Sequence, residues 1–133
     1  MKVSIIIPIY NAMEYLPIGM EKILNQTYSN IEILLVDNNS KDDSYNYIKE
    51  LEKKDRRVKA LAETKQGPNY ARKTGFEAST GEYILFCDSD DFMVEDAVES
   101  FVSKIKETNA DIVVANYKEV TRNNELVKER NSI

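Results

Sequence analysis

Residues 3–36 read VSIIIPIYNAMEYLPIGMEKILNQTYSNIEILLV, and this stretch decides the fold class. Its opening run, VSIIIPIY, is rich in β-branched residues and predicts a buried strand, with Pro8 in its last turn or at an unpaired position. Apolar residues then recur at helical spacing and predict a helix over residues 14–26, with Pro17 tolerated only in the first turn. The run IEILLV at 31–36 predicts a second buried strand. A strand, a helix and a second strand in this order predict parallel pairing.

The same alternation continues along the chain. Further strands are predicted at residues 58–62, 83–87 and 112–115, and apolar stripes predict the helices between them, marked by Tyr47, Ile48 and Leu51, by Ala71, Gly75 and Ala78, and by Val94, Val98, Phe101, Val102 and Ile105. This order predicts an α/β fold with a mostly parallel sheet and helices on both faces. We expect a core over residues 1–116.

Residues 117–133 form a second region. They alternate loosely, Asn123-Asn124 predicts a hairpin turn, and residues 128–133 have no predicted packing partner. We therefore expect residues 117–133 to be the start of a further region, a hairpin followed by a short tail at which the chain stops.

Composition excludes several classes of function. The 133 residues carry a net charge of −5 and no basic run, which disfavours a nucleic-acid partner. The chain has no His, and its one cysteine, Cys87, is predicted to be a small core residue. Zinc sites of Cys and His, Ser-His-Asp triads and internal disulfides are thereby excluded. Any metal must be a hard cation on carboxylates, Mg²⁺ or Mn²⁺. No apolar run approaches the length of a membrane span, so we expect a cytoplasmic chain. Any contact with the inner face of the membrane would be made by regions outside this chain.

Polar residues follow three of the predicted strands. In an open parallel sheet, ligands bind beyond the carboxyl ends of the strands. The candidate binding segments are therefore PIYN at 8–11, DNNS at 37–40 and DSDD at 88–91. The four glycines form neither a dinucleotide fingerprint nor a P-loop. Three carboxylates, Asp88, Asp90 and Asp91, instead suggest a divalent cation that bridges phosphates, and the alternative is an acidic turn that caps the next helix.

Four other candidates also have two interpretations. Asp37 and Asn38 suit contacts to a base or ribose but are ordinary turn formers as well. Tyr10 can stack on a base or anchor a strand end. Arg72 can meet a phosphate or remain solvated.

Taken together, these stretches resemble family 2 glycosyltransferases, which have the GT-A fold. The matching segments are VSIIIPIYNAMEYL, ILNQTYSNIEILLVDNNSKDDS, QGPNYARKTGFEASTGEYILFCDSDDF and the helix after it, in the family's order and spacing. The resemblance favours the metal interpretation of the acidic stretch. It implies an α/β GT-A core that stops after the donor-binding half.

The resemblance also assigns roles. Pro8, Tyr10 and Asn11 would line the nucleotide pocket, Asp37 and Asn38 would contact base and ribose, and Arg72 would lie near the diphosphate. Asp88-Ser89-Asp90 matches the family's DxD motif, in which Asp90 would be the most direct metal ligand and Asp88 would serve both metal and nucleotide. The implied reaction transfers a sugar, with inversion, from a nucleoside diphosphate, most simply UDP, to a hydroxyl of an acceptor saccharide or glycan polymer.

Two departures from the family pattern qualify this assignment. Asn38 stands where many members carry a second Asp, which leaves the donor base open. No acid of this chain matches the family's catalytic base, which is expected beyond Ile133, so the chain alone is expected to be inactive.

A nucleotidyltransferase and a non-catalytic nucleotide-binding or receiver module are the alternatives. The former usually has a glycine-rich basic loop after the first strand, where this chain has Asn11-Ala12-Met13-Glu14. A receiver needs acids at the end of that strand, and residues 4–10 contain none. These site positions, rather than the fold, separate the three classes.

Overall fold

The structure, a computed structural model, describes residues 1–120 and 126–130. The strands are β1 (Val3–Ile9), β2 (Ile31–Asp37), β3 (Val58–Ala62), β4 (Tyr83–Phe86), β5 (Tyr117–Val120) and β6 (Leu126–Arg130), and the helices are α1 (Leu16–Leu24), α2 (Ser44–Lys54), α3 (Pro68–Ala78) and α4 (Ala97–Thr108). Up to β4 the elements follow the predicted order.

The first unit, Met1–Glu99, is built on a parallel sheet of four strands in the order β3-β2-β1-β4. The two central strands carry nearly continuous apolar runs because both of their faces are covered. Among the described residues, eight of the twelve largest fully buried side chains lie on these two strands: Ile5, Ile6, Ile7, Ile9, Ile33, Leu34, Leu35 and Val36.

Helices cover both faces of the sheet, as predicted. On one face α3 lies so close to β1 that a Cβ on Gly75 would be 2.5 Å from Ile6 Cγ2. The opposite face presents Ile7, which lines a small cavity together with α1 side chains. The apolar stripe of α1 is buried there through Leu16, Met20 and Ile23.

Pro8 lies inside β1 rather than at its last turn, since it pairs in register with Val36. The Ile6 carbonyl accepts from Cys87 N on the β4 side, and the Ile9 carbonyl accepts from Asn38 N on the β2 side. Backbone groups alternate sides along a strand, so the nitrogen of Pro8 points toward β4. β4 ends at Phe86, opposite Ile6, so the missing N–H of Pro8 removes no ladder bond.

The second unit, Ser100–Ile133, contains most of α4 and the antiparallel pair β5 and β6. The expectation that residues 128–133 lack a packing partner is wrong for 128–130, which pair with residues 117–119. The Asn123-Asn124 turn and residues 131–133 lie outside the described residues. The prediction of a fifth strand at residues 112–115 is wrong: this segment is irregular, and Ile112 and Val114 are 80% and 63% exposed. The division into 1–116 and 117–133 remains a prediction.

Candidate functional site

Three polar segments meet at the carboxyl edge of the sheet, because β1, β2 and β4 are parallel neighbours. Ile9 pairs with Asp37, and Ile6 pairs with Phe86. The segments that leave these strands begin at residues 10, 38 and 87. The structure therefore brings together the stretches that the sequence nominated.

The segment after β1 is bonded to the segment after β2. Asn11 N donates to Ser40 Oγ at 3.0 Å, and Lys41 N donates back to Asn11 Oδ1 at 2.7 Å. Ala12 N donates to Ser44 Oγ at 2.9 Å. Asn11 has a φ of 47°, a left-handed conformation that Asn adopts more readily than most residues. The Asn11 side chain thus bonds to the segment after β2. In return, Ser40 and Ser44 of that segment hold the backbone N–H groups of Asn11 and Ala12.

Asn38 is buried, and its amide is already bonded within the protein. Its Nδ2 donates to the carbonyls of Glu63 and Lys65, each at 2.9 Å. Its Oδ1 accepts from Gly67 N at 2.8 Å and from Gln66 Nε2 at 3.4 Å. The side chain therefore holds residues 63–67, the connection from β3 to α3, against the end of β2. Its contact to a base remains a prediction.

Asp37 lies beside Asn38, and one of its carboxylate oxygens lacks a partner. Asp37 is 6% exposed, and its Oδ2 accepts from Ser40 N at 3.2 Å. Its Oδ1 is the only buried side-chain nitrogen or oxygen among the described residues that has no hydrogen bond. Buried acceptors without a partner are rare and call for an explanation such as a bound group.

The acidic cluster follows β4. Asp88, Asp90 and Asp91 each offer a carboxylate oxygen, and these oxygens lie within 4.8 Å of one another on exposed side chains. Partial burial, followed by the charges of Asp90 and Asp88, raises the pKa of Asp91. The capping alternative is wrong, because α4 begins only at Ala97 and the N–H of Val98 donates to Gln26 Oε1 at 3.0 Å.

Arg72 reaches the acidic cluster from α3. Its Nη2 lies 3.0 Å from Asp88 Oδ1, and its Nη1 donates to Asn69 Oδ1 at 2.9 Å. Arg72 is therefore not merely solvated. Tyr10 is 49% exposed at the end of β1, where a planar ligand could stack on it.

Cys87 is buried between β4 and the acidic cluster, as predicted. Burial, and then the charges of Asp91, Asp88 and Asp90, raise the pKa of its thiol to about 12. The thiol stays protonated at neutral pH and is a poor metal ligand.

The residues that hold the chain after the acidic cluster were not predicted from the sequence. Buried Gln26 donates from Nε2 to the Val94 carbonyl at 2.7 Å, and Thr27 N donates to the Glu95 carbonyl at 2.9 Å. Val94 itself lies outside α4 and is 67% exposed, so it does not belong to the predicted apolar stripe. The polar pair directly after α1 was the available signal, but its partners lie about 70 residues further along.

Glu32 was missed as well, at the opposite edge of the sheet. It is the second residue of β2, within an otherwise apolar run, and is 3% exposed. Its Oε1 accepts from Ser4 Oγ at 2.6 Å and from Thr80 N. Lys2 and Lys59 each place Nζ 3.4 Å from Oε2.

A parallel sheet with helices on both faces and a polar site at its carboxyl edge places the chain in the Rossmann-like class of α/β proteins. Within that class the chain belongs to glycosyl transferase family 2, whose model matches residues 4–132. The predicted resemblance and the GT-A fold are confirmed. Membership sets aside the nucleotidyltransferase and receiver alternatives.

Relatives and solved structures agree with this assignment. Glycosyltransferase GlyG of Streptococcus pneumoniae serotype 4 is 41% identical over 116 residues, 86% of this chain and 38% of GlyG. S. aureus TarS 1-349 in complex with UDP-GlcNAc is 26% identical with a TM-score of 0.85, over 91% of this chain and 36% of that one. The mannosyltransferase PcManGT from Pyrobaculum calidifontis, in complex with GDP-Man and Mn²⁺, is 23% identical with a TM-score of 0.72, over 90% and 35%.

The chain thus spans well under half the length of these proteins. Among the described helices, none is long and apolar enough to cross a membrane. The cytoplasmic location remains a prediction.

Proposed function

We propose that the carboxyl edge of the sheet binds a nucleoside-diphosphate sugar, with a UDP-sugar as the favoured donor, together with a divalent cation. The observation that carries the proposal is the set of three carboxylates, Asp88, Asp90 and Asp91, gathered within 4.8 Å beside Arg72. The likeness to TarS, solved with UDP and with UDP-GlcNAc, supports uridine as the base.

The residues present fit a hard cation. The cluster offers oxygen ligands alone, which Mg²⁺ and Mn²⁺ prefer, and the one nearby thiol is held protonated. We assign Asp90 and Asp88 as the ligands, with Asp91 as the third acid. When bound, the ion would neutralise negative charge that develops on the leaving diphosphate.

The nucleotide roles follow from the positions of the other residues. Asp37 Oδ1 is a buried acceptor without a partner, so it suits an N–H of the base or a ribose hydroxyl. Tyr10 offers an exposed ring for stacking, with Pro8 and Asn11 on the same segment. Arg72 suits the diphosphate, because a guanidinium matches phosphate oxygens with two parallel hydrogen bonds.

Asn38 has a different proposed role. Its amide is used by main-chain groups at 63–67, so we propose that it supports the base pocket by fixing that connection. A carboxylate at this position would lose the two donated bonds. The Asn that departs from the family pattern therefore has a structural explanation in this chain.

For the whole protein, we propose inverting transfer of the sugar to a hydroxyl of an acceptor saccharide or glycan. That reaction needs a base to take the proton of the acceptor hydroxyl. That the chain alone is inactive stays a prediction, and a screen of nucleotide sugars and acceptors with the purified chain tests it.

Isothermal titration tests donor binding directly. UDP should bind in the presence of Mn²⁺ or Mg²⁺ and lose most of its affinity in EDTA, and GDP should bind more weakly. Asp90→Asn should weaken metal-dependent binding more than Asp91→Asn, which serves as the matched charge control. Equal UDP affinity with and without EDTA would contradict the metal role, and no UDP binding in any condition would contradict the proposal itself.

A further inference from the structure

The ion pair between Arg72 and Asp88 engages a carboxylate that the proposed cation needs. Arg72 Nη2 lies 3.0 Å from Asp88 Oδ1, while Nη1 is held by Asn69 Oδ1 at 2.9 Å. The guanidinium is therefore held from two sides on the first turns of α3. That helix is fixed to the sheet at Gly75, where a Cβ would be 2.5 Å from Ile6 Cγ2.

This pair opposes a cation that arrives alone. A metal ion can use Asp88 Oδ1 only if the guanidinium gives it up, and the positive charge of the guanidinium repels the ion at short range. Side chains of Arg72 and Asp88 are 33% and 53% exposed, so the pair is only moderately strong and can be exchanged.

A diphosphate removes this opposition. Phosphate oxygens offer the guanidinium the same two-point geometry that a carboxylate offers, with more negative charge. Once Arg72 turns to the diphosphate, Asp88 Oδ1 is free for the metal ion, and the repulsion is compensated by the nucleotide's own charge.

We propose that Arg72 exchanges Asp88 for the nucleotide diphosphate and thereby makes the binding of metal and nucleotide cooperative. The ion binds weakly to the free protein and tightly to the nucleotide complex. By linkage the nucleotide gains the same factor from the ion. The inference rests on the proposed donor and metal site. It adds that tight binding of the metal ion requires the nucleotide.

Lys73 provides the matched control. It is the next residue on α3, it carries the same charge, and its side chain is 73% exposed with Nζ 3.9 Å from Glu77. Lys73→Gln therefore changes the net charge as Arg72→Gln does, without touching Asp88. Any gain in cation affinity that comes only from removing one positive charge therefore appears in both variants.

The experiment measures the Mn²⁺ dissociation constant by titration calorimetry, without nucleotide and with saturating UDP, for the wild type, Arg72→Gln and Lys73→Gln. Relative to Lys73→Gln, Arg72→Gln should bind Mn²⁺ alone about two- to fivefold more tightly, the range that an exposed ion pair supplies. The ratio of the two Mn²⁺ constants, which measures the cooperativity, should fall by about the same two- to fivefold in Arg72→Gln and stay at the wild-type value in Lys73→Gln.

Two results overturn the inference while the proposed function stands. One is wild-type binding of UDP with Mn²⁺ combined with equal Mn²⁺ affinities in the two variants. The other is an unchanged ratio in Arg72→Gln. A wild type that binds no UDP under any condition contradicts the proposed function itself, and the inference falls with it. A melting temperature equal to that of the wild type verifies that each variant is folded.

Discussion

The two edges of the parallel sheet use acidic residues in opposite ways. At the amino edge Glu32 is 3% exposed, and Ser4, Thr80, Lys2 and Lys59 all contact its carboxylate. The acids at the carboxyl edge are exposed and clustered within 4.8 Å, and buried Asp37 keeps one oxygen without a partner.

The pKa shifts of Glu32 at the amino edge and Asp91 in the acidic cluster have opposite signs. Burial raises the pKa of Glu32, but hydrogen bonds from Ser4 and Thr80 and the charge of Lys2 outweigh it and bring the pKa from its usual 4.5 to about 2. At the other edge the pKa of Asp91 is raised. The fold thus favours the ionised form of Glu32 and disfavours the ionised form of Asp91, and an acid kept at a cost to stability is typical of groups retained for binding.

Removing the acid of the amino edge should have the largest effect on stability. Glu32→Ala leaves the Ser4 hydroxyl and Thr80 N–H without their acceptor, and we expect a loss of about 3 kcal/mol in the free energy of unfolding. Denaturant titration measures it. Glu50→Ala is the control, since its ion pair with Lys53 is exposed at both ends, and it should cost less than about 0.5 kcal/mol. Similar losses in the two variants would contradict this account of Glu32.

The pH dependence of stability should reveal the same acid. Because the pKa of Glu32 is lower in the folded protein, its ionised form stabilises the fold above pH 4.5, and this contribution is lost as the pH falls toward about 2. The difference in unfolding free energy between the wild type and Glu32→Gln should shrink by about 3 kcal/mol between neutral pH and pH 2. Curves that stay parallel from neutral pH to pH 2 would show that Glu32 carries no such linkage.

Asn38→Ala should have a smaller effect on stability than Glu32→Ala and should lower both the stability and the UDP affinity. The substitution removes three short hydrogen bonds that hold residues 63–67, so we expect a loss of about 1–2 kcal/mol in unfolding free energy together with weaker UDP binding. Asn46→Ala on α2, where the exposed amide lies 3.5 Å from Asp43 Oδ1, is the comparison and should cost less. Full stability of Asn38→Ala would assign its amide to the ligand instead.

The sequence predicted the central sheet well because buried parallel strands carry continuous β-branched runs, which local reading detects. It failed at residues 112–115, where a similar apolar run is exposed rather than paired, since propensity cannot supply a neighbouring strand. The site segments were predictable because strand order alone places their ends at one edge.

The contacts that complete the site were not predictable in the same way. Gln26 and Glu32 are polar residues whose partners are 68 and 48 positions away in the chain. Their positions, within a buried run and after a helix, were local signals, but no local pattern identifies their partners. The arrangement of Asn38 was also hidden, because an Asn after a strand suggests a turn, whereas its bonds reach the connection before α3.

The most direct test of the contrast between the edges is thermal unfolding of Asp90→Asn with and without UDP and Mn²⁺. Without ligand, Asp90→Asn should unfold within about 0.5 kcal/mol of the wild type, because an exposed acid in a cluster of like charges contributes little stability. With ligands at about 100 times their dissociation constant, the wild type should gain about 2.7 kcal/mol and the variant should lose most of that gain. A free variant destabilised as much as Glu32→Ala, or one that keeps the full ligand-induced stabilisation, would contradict the assignment of the carboxyl edge to binding.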